Sequence, residues 1–497
     1  MLLELQNLSY SWESQSHPLF HHLTLTFPKG WTGIVGANGC GKSTLLSLIA
    51  QEFLPEEGHI RSPGMVYLCP QRTDAMPSDL PELLSYPDAH AGRLISQLHL
   101  EGDWPWRWDS LSHGERKRAQ IATALYQSPE VLLADEPTNH LDADASHQLR
   151  NALSAYPGIG LLVSHDRYLL DSLCDQVLFF DQRGCQLRPG NYSSGKREAE
   201  KEHKGALKSH QRALHHLKRL EKEHQRRSTL ASQSKKRSSK RGIARKDHDA
   251  KEKIDRARLS GSDASAGRAK AQLDHRIKKA QEHLQNTTGG KKEGRIRIHG
   301  LPIQGDAVLH LPQGQIPLGD QSWLDWKELF IGPKERVALM GANGSGKSSL
   351  FRHLFHPIPC PHSFIIPQEI QGQDERHFLE HASQWSKEEK GRIFSRVERL
   401  GSDPLRLLSS PYPSPGEIKK LFLSWGLEKN PALIAMDEPT NHLDLPSIEK
   451  LEEALEQFTG ALLLVSHDHS FLQRLCQTHW TIEQKMPKRA HVICERN

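Results

Sequence analysis

The sequence predicts an α/β chain of two tandem phosphate-loop domains joined by a long α-helical hairpin. Three observations carry this. A Gly-rich loop followed by glutamine, serine-glycine, acidic and histidine motifs occurs twice, about 300 residues apart. Each loop lies between an apolar β-type run and an apolar helical pattern. Between the copies runs a basic segment with two narrow apolar stripes at helical spacing.

The first loop reads Gly36-Ala37-Asn38-Gly39-Cys40-Gly41-Lys42-Ser43-Thr44, the second Gly341-Ala342-Asn343-Gly344-Ser345-Gly346-Lys347-Ser348-Ser349. Both fit G-x-x-x-x-G-K-[ST]. Glycines let successive N–H groups curl inward to face phosphate oxygens. The helix starting at each lysine adds its positive N-terminal end. Lys42 and Lys347 reach the outer phosphates as mobile point charges. Ser43 and Ser348 offer a hydroxyl to Mg²⁺. The expected bound molecule is therefore ATP with Mg²⁺, at two sites.

The acidic element VLLADEPTNHLD (Val131 to Asp142) returns as LIAMDEPTNHLD (Leu433 to Asp444). An apolar strand ends in Asp135 or Asp437, placed to hold Mg²⁺ through its water shell. Glu136 or Glu438 follows, where a carboxylate can orient and polarise an attacking water. His165 and His467, each in LLVSHD, stand 30 residues beyond the acidic strand end in both copies and are candidates to touch the γ-phosphate.

These motifs resemble the ATP-binding-cassette superfamily, and the fold this implies is two tandem P-loop ATP-binding-cassette domains. LSHGER (Leu111 to Arg116) and PSPGEI (Pro413 to Ile418) are similar to the cassette signature through Ser112, Gly114 and Glu115, and Ser414, Gly416 and Glu417. Pro413 and Pro415 depart from that pattern. Gln71 and Gln368 look like the glutamine that senses Mg²⁺ and water. The resemblance implies an adenine-stacking aromatic ahead of the first loop, matched by Trp12, with Tyr10 the alternative. In the second half Trp323 is the weaker match. The offset between copies is 302 residues for signature, acidic strand and histidine, 305 for the loop and 297 for the glutamine. Cassettes of this kind pair head to tail. That implies composite sites: Lys42, Gln71, Glu136 and His165 with Ser414 and Gly416, and Lys347, Gln368, Glu438 and His467 with Ser112 and Gly114.

The 497 residues suffice for two or three full cores. The expected domains are 1–192 and 293–497, with the hairpin over 193–292. No apolar run approaches the roughly 20 residues of a bilayer span. The N-terminus lacks a basic stretch ahead of a long apolar core, so no signal peptide is expected. Seven cysteines lie apart with no C-x-x-C pair, which fits reduced thiols in a cytoplasm and suggests neither zinc nor an iron–sulfur cluster.

The net charge of +5 conceals an asymmetry. Residues 196–280 hold 27 Lys and Arg against 11 Asp and Glu, a net +16, which leaves −11 for the remainder. Leu207, Leu214, Leu217 and Leu220, then Leu273, Ile277, Ala280 and Leu284, mark two helices on either side of a Ser/Gly-rich tip, Ser228 to Gly267. A helix over about Glu198 to Arg227 would be ~45 Å long. The tip carries Lys235-Lys236-Arg237, Lys240-Arg241 and Arg245-Lys246. Such a segment suits a phosphate backbone, and with no Trp, Tyr or Phe it suits backbone and shape contact better than base stacking. His203, His210, His215, His216 and His224 read as surface residues.

Two cassettes around a charged helical linker, each with PTNHLD after its acidic pair, resemble the ABC-F family over nearly the whole chain. The resemblance implies a cytoplasmic, ribosome-binding ATPase, acting in its ATP-bound closed form on ribosomal RNA and transfer RNA. Its hairpin would enter the transfer-RNA exit region towards the peptidyl-transferase centre. It further implies a monomer whose cassettes pair within the chain, with no stable membrane partner. Only 41 positions separate Gln71 from Ser112, which leaves little room for an arm, and 30 residues follow His467. That compact plan leans towards antibiotic-resistance ribosome protection over a translation factor. Two rival readings are the twin-cassette ATPase of a membrane importer and a DNA-repair ATPase.

Overall fold

In the computed structural model the described residues are 1–12, 18–85, 88–139, 141–181, 184–237, 262–286, 300, 305–319, 322–355, 362–368, 370, 372–402, 404, 407, 413–486 and 489–496. They divide into two compact units, Met1–Gly195 together with Gly294–Asn497, and Lys196–Glu293.

The first cassette opens with β1 (Leu2–Tyr10) and β2 (Phe20–Pro28), then β3 (Gly30–Gly36), α1 (Lys42–Ile49), β4 (Glu57–Arg61) and β5 (Val66–Cys69). Next come α2 (Leu80–Ser85), α3 (Ala89–Leu98), a 3-10 segment (Trp104–Ser110) and α4 (His113–Tyr126). The cassette closes with β6 (Val131–Asp135), α5 (Ala143–Ser154), β7 (Ile159–Val163), α6 (Arg167–Leu173), β8 (Cys174–Asp181) and β9 (Gly184–Pro189). Its main sheet runs β5-β6-β7-β3-β8-β9, parallel except for β9. A second sheet, β2-β1-β4, is antiparallel. Strands β6 and β7 are buried at every position, as parallel strands covered on both faces must be.

The linker helices are α7 (Tyr192–Arg237) and α8 (Ser262–Asn286). The second cassette begins with β10 (Leu309–Leu311), β11 (Gly314–Gly319), β12 (Ser322–Trp326), β13 (Leu329–Ile331) and β14 (Arg336–Gly341). It continues with α9 (Lys347–Phe355), β15 (Ser363–Ile366), α10 (Gln373–Ser383), α11 (Lys387–Arg399) and α12 (Pro415–Glu428). It ends with β16 (Leu433–Asp437), α13 (Leu445–Glu456), β17 (Ala461–Val465), α14 (His469–Leu475), β18 (Thr478–Met486) and β19 (Arg489–Arg496). The order β15-β16-β17-β14-β18-β19 repeats that of the first cassette. The edge differs: here the β11-β12 hairpin joins the main sheet, with β12 parallel to β19.

Each sheet carries apolar clusters on both faces. Ile34, Leu46, Leu133, Leu161 and Leu178 sit in one cluster of the first cassette, and Trp31, Leu132, Leu162 and Val177 in the other. Leu445 of the second cassette belongs to that latter cluster, so the cassettes share apolar burial.

The linker hairpin packs through six of the eight predicted stripe residues; Leu207 and Leu214 lie outside its buried cluster. Leu217, Leu220, Leu273 and Ala280 are buried together, with Ile277 and Leu284 against them. Residues 212–216 lie beside 280–283, and His224 Nε2 is 3.0 Å from Asp274 Oδ1, so the helices run antiparallel. At 46 residues α7 is about 69 Å long, exceeding the expected helix at both ends. The expected helix ends at about Arg227, ahead of the tip, but the Leu, Ala, Gln and Lys that follow are helix formers that continue it. The side chains of Lys235, Lys236 and Arg237, and all of Lys240, Arg241, Arg245 and Lys246, lie outside the described residues.

Candidate nucleotide-binding and active sites

Both loops adopt the curl the motif requires. Gly39 and Gly41 have φ of 77° and 100°, and Gly344 and Gly346 have 74° and 102°, left-handed values that favour glycine. Cys40 N donates to Ala37 O at 3.3 Å, and Ser345 N to Ala342 O at 3.2 Å, closing each turn. Lys42 Nζ donates to Gly36 O and Ala37 O, both 3.0 Å. Lys347 Nζ donates to Gly341 O at 2.8 Å and Ala342 O at 2.9 Å. A phosphate could take over these ammonium protons.

The acidic pairs are alike in both halves. Glu136 and Glu438 are non-glycine residues at φ 48°, a costly conformation of the kind found at working sites. It is fixed because Glu136 N donates to Val163 O at 2.9 Å and Glu438 N to Val465 O at 2.8 Å. His165 N donates to Glu136 Oε2 at 3.2 Å, and His467 N to Glu438 Oε2 at 3.3 Å. The imidazole Nε2 atoms lie 3.2 Å and 3.5 Å from the other carboxylate oxygens. Burial, then the neighbouring Asp135, pushes the Glu136 carboxyl up to about 8. Burial and Asp437 push Glu438 up to about 7. Burial and the nearby lysines lower His165 to about 3 and His467 to about 4, so both imidazoles are neutral near pH 7.

The residues present fit a hydrated divalent cation. Asp135 and Asp437 are held up by burial and opposed by hydrogen bonds from Ser43 and Ser348. Asp437 Oδ1 and Glu438 Oε1 are buried without a hydrogen-bond partner, acceptors suited to waters of such an ion. Among the described residues no cluster of three His, Cys, Asp or Glu side chains could grip a metal alone. Phosphate and water oxygens would supply most ligands.

Ser112 caps α4 and Ser414 caps α12, each in a reciprocal box with the glutamate three residues on. Pro415 is the first helical residue, where its fixed φ and missing N–H cost nothing, so the departure in the second signature leaves the cap intact.

One cavity of about 1800 Å³ is lined by residues of both cassettes. Both lysines, Ser43, Ser348, Gln71, Gln368, both acidic pairs, both histidines, Ser112, Gly114, Ser414, Gly416 and Trp12 all line it. The loops face the opposite cassette directly. Asn38 N donates to Asp444 Oδ2 at 2.8 Å, and Asn38 Nδ2 to His442 O at 3.1 Å. A Cβ on Gly416 would lie 3.6 Å from Asn38 Nδ2, so the first loop meets the second signature. Asn343 N donates to Asp142 Oδ2 at 3.4 Å. Trp323, by contrast, does not line the cavity; it pairs with Pro317 across the β11-β12 hairpin.

Sequence reasoning missed Asp142 and Asp444. Each caps its following helix, by accepting from Ala145 N and Ser447 N, and each also reaches the opposite loop. It also missed Lys117 and Lys419, buried signature-helix lysines. Lys117 Nζ donates to Pro70 O, Gln71 O and Gln120 Oε1, and Lys419 Nζ donates to Glu438 O. A charged residue on a helix gives no sequence sign that its face is turned onto carbonyls.

Residues 20–139 match the family described as ABC transporter. The chain is an ABC-type ATP hydrolase, with two cassettes joined by a helical hairpin. It is 29% identical to the ribosome protection protein VmlR of Bacillus subtilis (strain 168), over 95% of this chain and 85% of that one. It is 27% identical to the energy-dependent translational throttle protein EttA of Haemophilus influenzae, over 91% of this chain and 86% of that one. A crystal structure of the archaeal ribosome recycling factor aABCE1, in complex with a ribosomal stalk protein, shares the fold at TM-score 0.61. It is 16% identical, covering 98% of this chain and 89% of that one. The resemblance to ABC-F proteins is borne out across the chain. Among the described residues no helix is long and apolar enough to cross a membrane.

Proposed function

We propose that the chain binds ATP and Mg²⁺ at two composite sites, engages the ribosome in the ATP-bound closed form, and is released by hydrolysis. Glu136 and Glu438, held by the backbone N–H groups of His165 and His467, orient the attacking water, and the neutral imidazoles of those histidines donate their single N–H towards the γ-phosphate. Ser414 and Gly416 complete the site on Lys42, and Ser112 and Gly114 the site on Lys347. The basic hairpin contacts ribosomal and transfer RNA near the exit site and the peptidyl-transferase centre. The working species is a cytoplasmic monomer, acting as a translation factor or in ribosome protection. The observation that carries this reading is the contact of each loop with the opposite cassette's aspartate in a chain that also holds a +16 hairpin.

The test uses the E136Q/E438Q protein, which keeps the side-chain shape but cannot take a proton from the attacking water. With ATP it should co-sediment with ribosomes on a sucrose gradient, and ribonuclease but not deoxyribonuclease should release it. Co-purification with membranes, or sensitivity to deoxyribonuclease alone, would replace this reading with an importer or a DNA-repair one.

A further inference from the structure

Helices α5 and α13 correspond in the two cassettes, and each turns one face to the shared cavity. Asp142, Ser146 and Arg150 line it along the first, Asp444 and Ile448 along the second. Residues four apart share a helix face, so each row leads away from the loop that its aspartate meets. The third position of the α13 row is Glu452, 302 residues beyond Arg150, and here the two ends of the cavity part. Glu452 is fully buried, with Arg167 of the first cassette at 3.0 Å and Arg474 of its own at 2.9 Å. One anion bridging two cations closes that end.

At the other end the bridging anion is missing. Arg150 stands where Glu452 would be, His469 stands for Arg167, and Ser172 for Arg474. The Arg150 guanidinium lies over the Tyr168 ring, 4.6 Å from its centre, and among the described residues no carboxylate pairs with it. Arg150, Tyr168, His469 and Ser470 all line the cavity, so this end is open where the other is packed. Two carboxylates also line this side. Asp144 lies six residues, about 9 Å, back along α5, and Asp166 has its Oδ1 turned to the α6 cap, accepting from Leu169 N at 3.1 Å.

We propose that this end binds inorganic phosphate, the anion that hydrolysis at the adjoining Lys347 loop releases. This rests on the reading that both loops hydrolyse ATP. Arg150 supplies a planar fork matched to two phosphate oxygens, and its stacking on Tyr168 presets the plane of that fork. His469 and the Ser470 hydroxyl offer further donors from the opposite cassette. The path from source to site is short. Asp142 accepts from Asn343 N of the second loop at 3.4 Å, and Arg150 stands eight residues, about 12 Å, further along α5. Phosphate leaving the Lys42 loop meets no such site, because Glu452 holds the equivalent place with a charge of the wrong sign.

The E136Q/E438Q protein is filled with ATP and Mg²⁺ at both loops, then dialysed against radiolabelled orthophosphate at millimolar concentrations. One phosphate per chain is expected, with affinity about tenfold lower in R150A and reduced less in R150K, which keeps the charge but not the fork. Retention of two ATP per chain by each variant shows that its loops are intact. No saturable phosphate on the parent overturns the proposal, as do two per chain, or an R150A curve that superimposes on the parent's. In the hydrolysing protein, added orthophosphate should slow turnover, and R150A should need about tenfold more for the same inhibition. Equal inhibition would separate the site from the product and overturn its assignment. A parent that takes up no ATP would instead overturn the two-site reading on which the proposal stands.

Discussion

Asp444 does two jobs with one carboxylate. Oδ1 caps α13 through Ser447 N, and Oδ2 accepts the amide of Asn38 in the opposite cassette's loop. Burial alone would raise its pKa, but Lys420 at 3.5 Å and these hydrogen bonds outweigh it and hold the carboxyl below its ordinary value. A depressed folded-state pKa contributes stability above the unfolded value, near 3.9, that is lost as pH falls through the folded one. The thermal midpoint of D444N should therefore lie below that of the parent at pH 7, and the gap should narrow below about pH 4. A gap independent of pH would mean the charge contributes nothing.

The aspartate pair also shows what the sequence could convey about the site. The loops, acidic pairs and histidines were legible because their chemistry needs fixed residue types at fixed spacing. Asp142 and Asp444 announce only a helix start, since a contact some 400 positions away, Asn38 to Asp444, leaves no local pattern. Trp323 sits in the β11-β12 ladder and does not line the cavity, because the sheet edge of this cassette pairs differently from that of the first, which no local pattern announces.

At the scale of elements, α13 is where the cassettes are fastened. Asp444 stands at its N-terminus, and its Glu449 accepts from the Tyr192 hydroxyl at 2.6 Å, at the first residue of α7. Glu452, fully buried, takes Arg167 of the first cassette at 3.0 Å and Arg474 of its own at 2.9 Å. Arg167 also lies 3.3 Å from Asp468. The internal repeat does not reproduce this clamp. At the 302-residue offset Glu452 corresponds to Arg150, and His469 to Arg167, so the mirror position has no carboxylate. Removing one partner of a buried pair leaves an uncompensated charge and costs about 3–5 kcal/mol. E452A should show that loss in urea unfolding, whereas R150A, at the mirror position, should stay within about 1 kcal/mol. Equal effects would mean that the ion pair does not distinguish the two sides. Nothing in the sequence marks the clamp, since glutamates and arginines at these spacings read equally well as solvated helix faces.

For the whole molecule, the governing feature is the segregation of charge, +16 in residues 196–280 against −11 elsewhere. The basic hairpin supplies the attraction to a polyanion, and the acidic remainder of the chain opposes non-specific adhesion of the cassettes. The proposed ribosome binding should then be governed by counterion release, and log affinity should fall steeply with log salt. Replacing Lys235, Lys236, Arg237, Lys240 and Arg241 by alanine should lower that slope by up to about 4, if all five meet phosphates. Basal ATP hydrolysis should survive, because none of the five belongs to either nucleotide site. Co-sedimentation of the ATP-trapped protein over a salt series, with and without these changes, measures both slopes. Superimposable curves would reduce the hairpin to a spacer, and the affinity would have to come from the cassettes, whose charge is of the wrong sign for RNA.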